Sequence, residues 1–107
     1  MDEQQFAALA DAELAAIEAA LEARADDFDI DVKPGGIVEV GFDDGAKIII
    51  NRHLAAREIW VAARSGGYHF RPQDDGRWVS ARDGEELRAC IGRCLATHGA
   101  GNGAPLA

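Results

Sequence analysis

The sequence predicts an α+β domain: a two-layer α-β sandwich in the order helix, antiparallel sheet of five or six strands, helix, with both helices on one sheet face. Three observations carry this. The apolar period is three to four residues at the start, two from about residue 28 to residue 79, and three to four again after residue 86. Short turns bearing glycine and aspartate join the strand-like segments, which makes consecutive strands antiparallel neighbours. Each segment has one apolar and one polar face, so the sheet is covered on one side only.

Phe6, Leu9, Ala10, Ile17 and Leu21 recur at helical spacing within residues 3–25, and alanine fills much of the remainder. Phe28, Ile30 and Val32 then alternate with Asp29 and Asp31 in a first strand. Pro34-Gly35-Gly36 turns the chain into a second strand, where Val38, Val40 and Phe42 alternate with Glu39 and Gly41. Asp43-Asp44-Gly45 is a hairpin signal before a third strand at 47–52, and residues 53–57 form a short loop. In the fourth strand Ile59, Val61 and Ala63 oppose Glu58, Trp60, Ala62 and Arg64. Ser65-Gly66-Gly67 turns into residues 68–72, and Gln73-Asp74-Asp75-Gly76 turns into residues 77–81. Asp83 and Glu86 have capping-box spacing and open a second helix, with Leu87, Ile91, Cys94 and Leu95 on its inner stripe. Residues 1–98 are a single domain, and residues 99–107, which lack periodicity, are expected as a flexible C-terminal tail.

The chain has 107 residues, enough for one modest core, and 48% hydrophobic residues exclude an acidic disordered protein. No apolar run approaches the ~20 residues of a membrane span. MDEQQF has neither signal-peptide nor transit-peptide character, so the expected location is cytoplasmic. A net charge of −8 argues against nucleic-acid binding. Residues 1–31 hold ten acids against one base, Arg24, whereas the rest of the chain holds nine acids and ten bases. The excess acidity therefore belongs to the first third, which points to cations or a basic partner.

Within that third, Glu18, Glu22 and Asp26 are spaced by four and line one helical stripe. Asp29 and Asp31 take the solvent face of the following strand, so the two carboxylate rows can meet along one edge. Oxygen donors without Cys or His suit hard cations such as Mg²⁺, Ca²⁺, Mn²⁺ and iron, and the segment does not match a calcium loop. These residues alone leave open a cation site or a solvated acidic face. Trp60 points outward with Glu58, and Lys47, Ile49 and Asn51 take the outward phase of the strand before it, the setting of an interface anchor. Cys90, Cys94 and His98 share a four-residue spacing, but the apolar residues around Cys94 make small buried thiols the simpler reading. His53 and His69 have no partner pattern, and His69 reads as an ordinary sheet position. No nucleophile elbow, phosphate loop or zinc helix is present, so the chain is not expected to be an enzyme.

The stretches DFDIDV, GGIVEVGFDDGAKIIINR, EIWVAARSGGYHF and RWVSARDGEEL, in this order within residues 6–95, resemble the bacterial frataxin family of the CyaY type. The resemblance implies the sandwich already derived and a role in iron binding and iron–sulfur cluster assembly. It implies that Fe²⁺ and Fe³⁺ bind weakly on an acidic ridge of Glu18, Glu22, Asp26, Asp27, Asp29 and Asp31, with other divalent cations admitted. The ridge residues Glu18, Glu22, Asp26 and Asp27 would also contact a cysteine desulfurase and slow sulfur delivery. Asn51 and Trp60 would contact the assembly machinery, including the iron–sulfur scaffold protein. A monomer is expected, with iron-induced oligomers the one further assembly admitted. The chain departs from the family pattern at Ala19, Ala23 and Ala25, where acids are frequent, and at His53 and Ala55 in the loop after Asn51-Arg52. The alternative reading is an acidic protein-interaction module whose metal binding is incidental.

Overall fold

A computed structural model describes residues 1–107, the side chain of Ala25 excepted. Helix α1 (Glu3–Glu22) is followed by a 3₁₀ turn (Ala25–Asp27) and six strands: β1 (Asp29–Lys33), β2 (Ile37–Gly41), β3 (Lys47–His53), β4 (Glu58–Ala63), β5 (Gly66–Pro72) and β6 (Trp78–Val79). Helix α2 (Leu87–Thr97) closes the order. The strands form an antiparallel meander in sequence order, β1-β2-β3-β4-β5-β6, as the short turns predict. No helix among the described residues is long and apolar enough to cross a membrane.

Helix α1 starts at a capping box. Asp2 Oδ1 accepts the Gln5 backbone N–H at 2.7 Å, and Gln5 Oε1 accepts the Asp2 N–H at 3.0 Å. Its buried stripe is Phe6, Ala10, Leu14, Ile17 and Leu21. Leu9, expected on that stripe, is 46% exposed. At 100° per residue it lies roughly 100° round the helix from the stripe's centre, and Leu14 takes the place it was assigned. The helix also ends at Glu22 and not at residue 25, because the chain tightens into the 3₁₀ turn that delivers Phe28 to the core.

The inner sheet face contributes Val38, Val40, Ile48, Ile50, Ile59, Val61 and Phe70, all buried against the two helices. Strand β1 is an edge that overhangs this cover: Ile30 is half-buried and Val32, predicted to face inward, is 50% exposed. Phe6 meets Trp78 edge to face at 5.8 Å, which ties α1 to β6. The turn between β4 and β5 is shorter than expected. Ala63 pairs with Gly66, leaving only Arg64 and Ser65 in the loop. Asp83 does not cap α2; its Oδ1 accepts the Glu85 N–H at 3.0 Å in a local turn, and the helix begins at Leu87 with no side-chain cap.

Residues 99–107, expected as a flexible tail, return against the helices. Ala100 and Leu106 are buried, Arg24 donates to the Ala100 carbonyl at 2.9 Å, and the Leu106 N–H donates to the Arg88 carbonyl at 3.0 Å. Arg88 also clamps α2 to α1 through both Glu13 oxygens, each at 3.0 Å. Gly92 makes the close approach possible, since a Cβ there would stand 2.0 Å from the Ala104 carbonyl oxygen. Gly92→Ala should therefore cost about 1–3 kcal/mol of stability by urea denaturation, through overpacking. Removing residues 104–107 should abolish that penalty, because the colliding carbonyl is gone. Additive losses in the double variant would contradict the seated tail.

Candidate functional site

Two features stand out where sequence placed its candidates: the acidic edge and the centre of the outer sheet face. The helical row, Glu18 and Glu22, runs off the end of α1 into Asp26 and Asp27 of the 3₁₀ turn. Glu18 is half-buried and the others are exposed. Asp29 and Asp31 then project from β1, both exposed. None of these six carboxylates forms an ion pair among the described residues, because the nearby bases are engaged elsewhere. Lys33 reaches Glu39 at 2.6 Å, and Arg24 turns to the Ala100 carbonyl.

The two rows flank the edge strand from opposite sides. Glu18 lines a shallow groove between α1 and β1 with Asp11, Val32 and Lys33. Asp29 and Asp31 line an open depression of about 280 Å³ on the outer face with Glu39, Phe42 and Lys47. The sequence suggested that the rows could meet; they converge on the same edge without forming a cage, and no three acid, His or Cys groups among the described residues gather as a metal site. What the arrangement offers a cation is a string of wet, hard oxygen donors, one or two at a time. That chemistry suits hard cations held through their hydration shells and not in a dedicated cage. Ala19 and Ala23 are exposed on the same helix end, and the side chain of Ala25 lies outside the described residues.

Within the outer depression Glu39 is held below its ordinary value, chiefly by its hydrogen bond to Lys33; desolvation pushes it up, and the contact with Lys47 and the two ammonium charges bring it down again. This pair of lysines neutralises Glu39 at β2, between the acidic edge and the centre of the sheet.

At the centre of the sheet, Asn51, Trp60 and His69 stand directly opposite one another on β3, β4 and β5. Trp60 does face outward, but it is half-buried and not a free anchor. Its indole is sandwiched between His53, 4.0 Å away at 12°, and His69, 4.3 Å away at 9°. Its Nε1–H donates to Glu58 Oε1 at 2.8 Å, and Arg71 Nε donates to Glu58 Oε2 at 2.9 Å. Burial, to 9% exposure, pushes the Glu58 carboxyl up, yet the indole and Arg71 hydrogen bonds together outweigh it and hold the group below its ordinary value. Sequence reading missed this stack. His69 shares the outward phase of Trp60, but the turn was taken one residue too long, which hid their direct pairing.

Cys90 and Cys94 are buried in the core. The hydrogen bond with Cys94 and burial hold the Cys90 thiol above its usual range. His98 stacks on Phe42 at 4.2 Å, so the three residues do not form a ligand set.

The family model for the frataxin-like domain matches residues 1–100 of the chain. The iron-sulfur cluster assembly protein CyaY of Ralstonia pickettii is 48% identical over 98 residues, covering 89% of this chain and 86% of that protein. The protein of the same name from Dechloromonas aromatica is 54% identical over 87 residues, covering 81% and 82%. Among solved structures, the frataxin of Psychromonas ingrahamii, studied for stability modulation within the CyaY family, superposes with a TM-score of 0.82 at 27% identity, over 91% of this chain and 90% of that one.

The Glu58 network makes a pH-dependent contribution. Because the folded carboxyl titrates below its unfolded value, its stabilisation is present above the unfolded value and is lost as pH falls through the folded one. Glu58→Gln should cost about 1–3 kcal/mol near neutrality by leaving the Arg71 and Trp60 donors poorly matched. In urea unfolding the gap between wild type and variant should narrow steadily below about pH 4.5. A gap that stays constant into acid would rule out an ionised Glu58 as the cause.

Proposed function

Because the chain belongs to the frataxin-like family, we propose that it is a non-enzymatic, iron-binding regulator of iron–sulfur cluster assembly in the bacterial cytoplasm. The observation that carries this reading is the row of six carboxylates flanking β1, with no base paired to them among the described residues. Unpaired acids at i, i+4 repel one another by ~0.2–0.5 kcal/mol per pair, and near a helix C-terminus they also oppose its dipole. A cation or a basic protein surface relieves that repulsion.

Iron is the cargo. Glu18, Glu22, Asp26, Asp27, Asp29 and Asp31 hold Fe²⁺ or Fe³⁺ weakly through its hydration shell, and the same charges dock on a basic surface of the cysteine desulfurase. Metal on the ridge lowers its negative charge and with it the affinity for the desulfurase. Asn51 and the Trp60 stack meet the iron–sulfur scaffold protein from the outer sheet face.

A second reading is supported by the dispersal of the carboxylates: the ridge is an acidic docking surface, and the metal is incidental. Replacing Glu18 and Glu22 with Gln, and Asp26 and Asp27 with Asn, should weaken desulfurase binding about tenfold or more at low salt under either reading. Titrating the desulfurase with and without Fe²⁺ separates them. Iron should weaken binding of the wild-type chain, and NMR footprints of Fe²⁺ and of the desulfurase should overlap within residues 18–31. Equal affinities with and without iron leave only the docking module, and an Fe²⁺ footprint confined to Cys90–His98 would falsify the carboxylate assignment.

A further inference from the structure

Both faces of the Trp60 indole are covered by imidazoles, His53 on one side and His69 on the other. Histidine is the side chain whose charge ordinarily changes between about pH 5 and 8. The stack therefore places two proton acceptors on the residue at the centre of the outer face. The groups that face it are Asn51 from β3, Glu58 from β4, and Arg71 from β5. Arg82, after β6, lines the same depression as Glu58 and His69, and β2 presents the neutral Ile37 opposite Asn51.

The two imidazoles are held differently. His53 Nδ1 accepts the Ala56 backbone N–H at 3.3 Å, so the neutral ring carries its proton on Nε2. A second proton, on Nδ1, would set two donors against each other and free the turn at residues 54–57, where Arg57 sits at a left-handed φ of 56°. His69 Nδ1 lies 3.6 Å from Glu58 Oε1. That carboxylate already accepts from the indole and Arg71, so charging both rings leaves two imidazolium groups to share one engaged counter-ion.

We infer that the His53–Trp60–His69 stack is a proton-responsive docking element, open to a partner while the imidazoles are neutral and weakened when they charge. The inference rests on the proposed docking of the scaffold protein at this face. A partner that covers the stack must strip water from it, which neutral rings permit and imidazolium groups with an engaged counter-ion resist. Binding that accepts only the neutral rings loses affinity in proportion to the neutral fraction.

The test has two arms on the full chain. In the free protein, NMR of the Trp60 indole N–H from about pH 8 to pH 5 should show a titration that His53→Gln and His69→Gln each reduce and the double variant removes. In the second arm, scaffold-protein affinity should fall about tenfold from about pH 8 to pH 6 for wild type, and less than about threefold for the double variant. An indole signal that does not titrate, or one that titrates unchanged in the double variant, overturns the inference whether or not the partner binds. An equal pH dependence of affinity in both proteins also overturns it. Scaffold binding that Trp60→Ala leaves intact would instead refute docking at this face, a failure the free-chain titration distinguishes.

Discussion

Two helices can bury one face of a six-stranded sheet and no more, and the rest of the molecule follows from that limit. The stripe Phe6–Ala10–Leu14–Ile17–Leu21 and the face Leu87–Cys90–Ile91–Cys94–Leu95 both spend themselves on the same inner row of Val38, Val40, Ile48, Ile50, Ile59, Val61 and Phe70. The outer row must then be tolerable to water over its whole width. Polar and charged side chains accomplish this at β1 and β2, and a satisfied aromatic cluster accomplishes it at β3 to β5. The one acid in that cluster, Glu58, can be buried because the indole and Arg71 occupy both its oxygens.

The same limit explains the acidic edge. Strand β1 overhangs the helical cover, so its free backbone groups and half-exposed Val32 would invite pairing with another chain. Asp29, Asp31 and Lys33 on this strand discourage such pairing whatever else they do. The carboxylates of the ridge therefore protect an edge and offer hard oxygen ligands at once. Their dispersal on both sides of β1 is what an edge guard requires and what a tight metal cage forbids.

The fold was legible in the sequence to the extent that it is local. The change of period at Phe28, the hairpin at Asp43-Asp44-Gly45 and the alternation through Glu58–Ala63 are properties of neighbours in the chain. Misreadings occurred wherever a distant residue decides. Leu9 and Leu14 compete for one stripe, and only the position of the sheet chooses between them. Asp83 has the spacing of a cap, yet the β6 connection uses it in a turn instead. The tail reads as structureless because Gly92, the residue that lets it settle, lies on another element. In the candidate site, the acids were visible because they fall within one short stretch, residues 18–31. His53, Trp60 and His69 come from three strands, so their stacking depended on a register that one misplaced turn residue was enough to obscure.

The surface thus divides into two chemistries separated by β2. At the edge lie carboxylates, all but Glu18 exposed and none ion-paired among the described residues, whose field extends about 10 Å at moderate salt and which act chiefly on encounter rate and orientation. At the centre lies an aromatic cluster, His53 and Trp60 half-buried and His69 exposed, that acts only on contact, once water has been removed. Between them, Lys33 and Lys47 both pair with Glu39 on β2. In the proposed function a basic partner is drawn to the ridge, and a partner that covers the stack need not be basic. The proposed function, with two different partners on one small domain, asks for what this surface offers: charges that steer and rings that anchor on opposite sides of the Lys33–Glu39–Lys47 contacts.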